Sequence, residues 1–226
     1  MTPPIYIAEE LTPCILFADN HLLALDKPAG LLTQDSGTGQ RNLEDWAREW
    51  VRVDKNKTGN VFLHAVHRID KVVGGVVLFA RTSKALARLN EDIRNHRCKK
   101  IYQAWVEGVP HPPAAELIHW LAHENHRARR CRESEKGAQR AVLHYRTLKQ
   151  IDGQTLLEIE LKTGRYHQIR AQLSAIGCPI VGDEKYGAAT SKEIGIALRH
   201  VQLEIMHPIT HKPLKISSIP LDSNIS

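Results

Sequence analysis

Apolar residues come in short runs broken by glycine, proline and polar pairs, a pattern that predicts more strands than helices. The runs at 15–18 and 22–25 flank Asp19-Asn20 and predict a hairpin, ended by Lys27-Pro28-Ala29-Gly30. Further strands are expected at 75–79, 101–106, 155–161, 198–205 and 214–219. Helical spacing links Leu43, Trp46, Ala47, Trp50 and Val51 behind a capping Asn42. A second helix is expected behind Ser83, with Leu86, Leu89 and Ile93 on one stripe. Ile169, Leu173 and Ile176 predict a third, closed by Gly177. Strands outnumber helices and do not alternate with them. The expectation is α+β, with a mixed, mostly antiparallel sheet, rather than a doubly wound parallel one.

Composition changes little. The 226 residues fit one large domain or two small ones, and 42% hydrophobic with 25% charged is ordinary for a globular protein with a core. Charge changes more: 31 Lys and Arg against 25 Asp and Glu leave +6. A basic surface attracts polyanions, nucleic acid first among them, although many basic proteins bind none. The excess is densest between His126 and Arg140. There Arg127, Arg129, Arg130, Arg132, Lys136 and Arg140 face only Glu133 and Glu135. This reads as a loop-like segment that is either merely solvated or in contact with RNA phosphates.

The four cysteines, Cys14, Cys98, Cys131 and Cys178, are too scattered for a disulfide framework or a zinc cluster. They fit a reducing cytoplasm. His64 and His67, and again His123 and His126, have metal-pair spacing but no nearby acidic or thiol partner, which favours ordinary histidines. Met1-Thr2-Pro3-Pro4 is not an export signal, and no apolar stretch is long enough to span a bilayer. A soluble cytoplasmic protein is expected.

Two segments carry candidate chemistry: His67-Arg68-Ile69-Asp70 ahead of Lys71-Val72-Val73-Gly74-Gly75, and Thr163 through Arg170 at the start of the third helix. An Asp before a glycine-rich turn and a strand sits on a loop held by rigid structure, where catalytic groups are often carried. Its carboxylate can serve as nucleophile, base or metal ligand, and the lack of a second acidic cluster weakens the metal reading. Arg165, His167 and Arg170 surround a helix N-terminus, which favours phosphate or a partner carboxylate. Ile69 interrupts the kinase H-R-D motif, and neither a phosphate loop nor a G-x-S-x-G elbow occurs.

These residues resemble the signature segments of RluA-type RNA pseudouridine synthases. Asp26-Lys27-Pro28-Ala29-Gly30 is similar to the first family motif, and Lys100-Ile101-Tyr102 to the motif that supplies a tyrosine. Pro179-Ile180-Val181-Gly182-Asp183 through Tyr186-Gly187 resembles the segment after the third motif. The resemblance implies a central sheet of two halves with the active site in a cleft. It implies Asp70 as the catalytic aspartate, Tyr102 as the ring that stacks on the target base and Arg170 as the partner of the aspartate. Arg68 would lie beside the flipped nucleotide and Ile169 beneath the site. Arg165, His167, Arg129 and Arg130 complete the expected RNA-binding set. Two departures stand out. Val73-Gly74-Gly75 replaces the usual Thr-Ser-Gly, removing two hydroxyls, and only a short leader precedes the first motif. The whole of 1–226 is therefore expected to be one catalytic domain without a separate N-terminal RNA-binding domain.

The implied reaction detaches uracil, rotates it and rejoins it through carbon five. It involves no net redox change, so neither cofactor nor metal is expected. The expected partner is structured ribosomal or transfer RNA, bound by a monomer, with no DNA and no membrane. A catalytically silent RNA-binding module of the same fold is the alternative. The intact Asp70, Tyr102 and Arg170 argue against it.

Overall fold

The computed structural model describes residues 13–56, 58–190 and 194–224. The first four residues, on which the export-signal reading rests, lie outside them. The chain forms two compact units. The first runs to Cys98 and regains Leu203–Ser218; the second holds Lys99–Gln202 and the segment from Ile219 onward.

In the first unit β1 (Cys14–Ala18) and β2 (Leu22–Lys27) form the expected hairpin. Its turn is held by Asp19, whose Oδ1 accepts the N–H groups of His21 (2.8 Å) and Leu22 (2.7 Å). β2 pairs antiparallel with β4 (Gly74–Ala80), from Leu22 opposite Ala80 to Lys27 opposite Gly75. Both strands are buried along their whole length, which explains the apolar runs at 22–25 and 76–80 within them. The short β3 (His64–Ala65) also pairs with β4.

Helix α1 (Leu43–Asp54) buries Leu43, Ala47 and Val51, and Asn42 accepts the Asp45 N–H at 3.0 Å, as expected of its cap. Helix α2 (Ser83–Arg94) starts where expected, but its cap is Thr82, which accepts the Ala85 N–H at 3.2 Å. Ser83 is the first helical residue. The expectation was one position late because two hydroxyl residues are adjacent and only backbone geometry separates them. Ala85 and Leu89 enter a core with Leu22, Ala24, Val76 and Leu78, completed by Leu203, Ile205 and Ile216 from the returning segment.

In the second unit the strand order is β10-β5-β9-β8-β6-β7. The strands are β5 (Lys99–Glu107), β6 (Ala114–Glu124), β7 (Arg127–Cys131), β8 (Gln139–Ile151), β9 (Gln154–Leu161) and β10 (Leu198–Met206). β10 gives its first half to this unit and its second half to the first, where β11 (Pro213–Ser217) pairs with it. Helix α3 (Gln168–Ala175) ends at Ile176, and Gly177 follows with φ of 77°. Leu121, Ala128, Ala141 and Ala171 pack together, with Tyr186 against them.

The basic segment differs from its expectation. It is not a loop: β7 pairs with β6 through a two-residue turn at Asn125 and His126, both at positive φ. Only Ala128 of its five residues is buried. The strand therefore has almost no apolar alternation to reveal it.

Candidate active site

Asp70 lies in the first unit, on the connection from β3 to β4, and is half-buried. Its loop is fixed from several sides. The Thr33 hydroxyl donates to the Ile69 carbonyl at 2.9 Å and accepts the Ile69 N–H at 3.4 Å. The Val73 N–H closes a turn onto the Asp70 carbonyl (3.0 Å), and the Gly30 N–H reaches the Lys71 carbonyl (2.8 Å). Lys27, wholly buried, donates through Nζ to the carbonyls of Leu31 (2.6 Å), Pro28 (3.0 Å) and Lys71 (3.1 Å). The Lys27-Pro28-Ala29-Gly30 segment thus does more than end a strand, because it ties down the loop that carries Asp70. Val73 and Gly74 are buried where β4 begins, and the loop before them is held by these backbone bonds. Arg68 is exposed and Ile69 buried. His67 accepts the Leu78 N–H through Nε2 at 3.3 Å, so it has structural work.

The second unit carries Arg170 and Tyr102. Arg170, 5% exposed in the first turn of α3, donates through Nε and Nη2 to the two carboxylate oxygens of Asp183, each at 2.7 Å. This is the two-pronged geometry that fixes a guanidinium plane. A third bond joins Arg170 Nη1 to His167 Nε2 at 3.1 Å. An arginine can only donate, so this nitrogen of His167 accepts and is unprotonated. Its other nitrogen, Nδ1, lies 2.9 Å from the Tyr186 hydroxyl, which also accepts the Ala128 N–H of β7 at 2.8 Å. Burial, then the charge of Arg170, lowers the His167 pKa to about 3, so this histidine is neutral at physiological pH. In the sequence Asp183 and Tyr186 stand out only as part of the segment after the third motif. Nothing in their spacing showed that they hold Arg170 and His167.

The segment leading into α3 is anchored by Gln168. Its Oε1 accepts from the Thr163 hydroxyl (2.8 Å) and the Arg165 N–H (3.0 Å), and its Nε2 donates to the Val142 carbonyl (3.1 Å). Arg165 is exposed and donates to the Arg140 carbonyl at 3.1 Å. Ile169 is buried. Tyr102, on β5 opposite Ile159, is 6% exposed and stacks on His200 of β10, with ring centroids 4.5 Å apart and planes 18° off parallel. Arg129 and Arg130 are exposed on β7, and Arg129 pairs with both Glu124 and Glu135.

The backbone fold is shared with a solved human structure, RNA Pseudouridylate Synthase Domain Containing 4, at a TM-score of 0.77 and 25% identity, over 91% of this chain and 88% of that one. The fold is thus that of the pseudouridine synthases. Residues 21–175 match the model of the RNA pseudouridylate synthase family, and the chain belongs to that family of isomerases acting on RNA. It is 30% identical over 93% of its length to the uncharacterized RNA pseudouridine synthase YhcT of Bacillus subtilis, of which it spans 69%. It is also 30% identical to ribosomal large subunit pseudouridine synthase D of Zymomonas mobilis, over 93% of this chain and 70% of that one. It is 28% identical to tRNA pseudouridine synthase C of Pectobacterium carotovorum, over 96% of this chain and 62% of that one.

Proposed function

We propose that this chain converts uridine to pseudouridine in ribosomal or transfer RNA, with Asp70 as the nucleophile. The observation that carries the reading is the rigid mounting of a half-buried carboxylate on the Thr33- and Lys27-anchored loop. The ionised oxygen attacks either the uracil ring or the anomeric carbon of the sugar. The carbon–nitrogen bond breaks, a carbon–carbon bond forms at carbon five, the bond to Asp70 breaks and returns its carboxylate, and the proton from carbon five ends on the released ring nitrogen. Tyr102 stacks on the target base, which has left the RNA helix at a cost of about a few kcal/mol. Arg170, oriented by Asp183, is the second catalytic group. Arg68 receives the flipped nucleotide, Ile169 lies beneath the base, and Arg165 and His167 border the RNA. The names of the ribosomal and transfer RNA relatives support the choice of RNA. The enzyme acts in the cytoplasm, as a monomer.

Asp70→Asn keeps the shape and removes the nucleophile. Pseudouridine mapping of RNA from cells carrying this variant should match that of cells lacking the gene, while RNA affinity stays near wild type. Turnover by Asp70→Asn would end the proposal.

A further inference from the structure

Tyr166 is 46% exposed, unusual for a large ring, yet it is not loose. It stacks on His167 at 3.9 Å and 16°, meets His123 at 4.5 Å and 63°, and its hydroxyl lies 3.4 Å from the His126 carbonyl. The ring is thus held in place before any ligand arrives, with a single imidazole between it and Arg170. The cations of this side of the unit fall into two groups. Arg129 is neutralised by Glu124 and Glu135. Among the described residues, Arg127, Arg130 and Lys185 take part in no ion pair. The Arg127 guanidinium lies 5.9 Å from the Tyr186 ring centre. Arg130 is on the face of β7 that bears Ala128, which packs with Ala171 of α3. Lys185 precedes Tyr186, the partner of His167.

We propose that His123, Tyr166, Arg127, Arg130 and Lys185 form a subsite for the RNA nucleotide flanking the target uridine, its base on Tyr166 and its phosphates on the three cations. The inference rests on the synthase reading above and deepens it. A fixed, exposed ring among unneutralised cations suits single-stranded nucleic acid, because stacking is indifferent to base identity while the charges follow the backbone. It also moves the phosphate contact away from Arg129, whose charge Glu124 and Glu135 offset.

The test measures binding of the full chain to a short fluorescein-labelled single strand with one uridine, across a salt series. A second strand lacks the base beside that uridine. Tyr166→Ala should weaken binding to the first strand about tenfold and Tyr166→Phe should retain it, while the abasic strand should bind wild type and Tyr166→Ala alike. Replacing Arg127, Arg130 and Lys185 together by Gln should reduce the log–log salt slope by about 2, at about 0.7 per phosphate. Arg129→Gln should leave it nearly unchanged. Equal binding of the intact strand by wild type and Tyr166→Ala overturns the subsite, as does a Tyr166→Ala defect that persists in full on the abasic strand. Failure of the wild-type protein to bind either strand is a different result, which removes the RNA reading and the subsite together.

Discussion

His167 has a charge state that decides what it does. As a neutral acceptor it steadies Arg170; protonated, it would oppose the guanidinium at hydrogen-bond distance. Burial comes first in lowering its pKa to about 3, followed by Arg170 and Lys185, with Asp183 acting in the opposite sense and His123 adding a small push. In the unfolded chain an ordinary histidine takes up its proton near pH ~6.5. The unfolded state therefore binds more protons between those values, and stability falls as pH drops through that window. His167→Gln removes this contribution. Urea unfolding at pH 7 and pH 4.5 should show a smaller acid loss for the variant than for wild type; equal losses would mean that His167 is protonated in the folded protein. At this scale the sequence singles out Asp70 and Arg170 because each stands in a recognisable local motif. It was unreadable where a side chain works through a distant partner. No spacing rule links Arg170 to Asp183 or His167 to Tyr186, because the fold, not the local period, brings them together.

Elements with one apolar face announced themselves and elements without one did not. α1, α2 and α3 and the buried strands β2, β4, β5 and β9 lie at or near their expected places, because core contact imposes a 3.6-residue or continuous apolar pattern. β6, β7 and β8 were not foreseen as strands. β6 alternates only between exposed and half-buried over most of its length, and β7 is almost wholly polar. The cap of α2 offers a sharp check on how such boundaries are set. Thr82→Ala should cost about 1 kcal/mol in denaturant unfolding, since the Ala85 N–H loses its acceptor. Ser83→Ala, one residue on and inside the helix, should change stability by about 0.5 kcal/mol or less. The reverse order would restore Ser83 as the cap.

For the whole molecule, the first unit is discontinuous in sequence. It needs Leu203, Ile205 and Ile216 from a segment more than a hundred positions beyond Cys98. Burying three such side chains contributes roughly 5–9 kcal/mol, comparable with the whole stability of an ordinary domain at about 5–15 kcal/mol. A chain ending at Gln202 should therefore fail to fold this unit, although it contains every residue of β1 to β4, α1 and α2. Hydrogen exchange should show β2 and β4 unprotected in the truncated protein; full protection there would show that the returning segment is dispensable. The same wiring orders events during synthesis. The ribosome makes Asp70 and its anchors Lys27 and Thr33 well before the strand and core residues of Leu203–Ser218 that complete their scaffold. A chain still in production carries the proposed nucleophile without the finished structure to aim it, so chemical competence waits for Leu203–Ser218 to be translated rather than arriving with the residues that perform the chemistry.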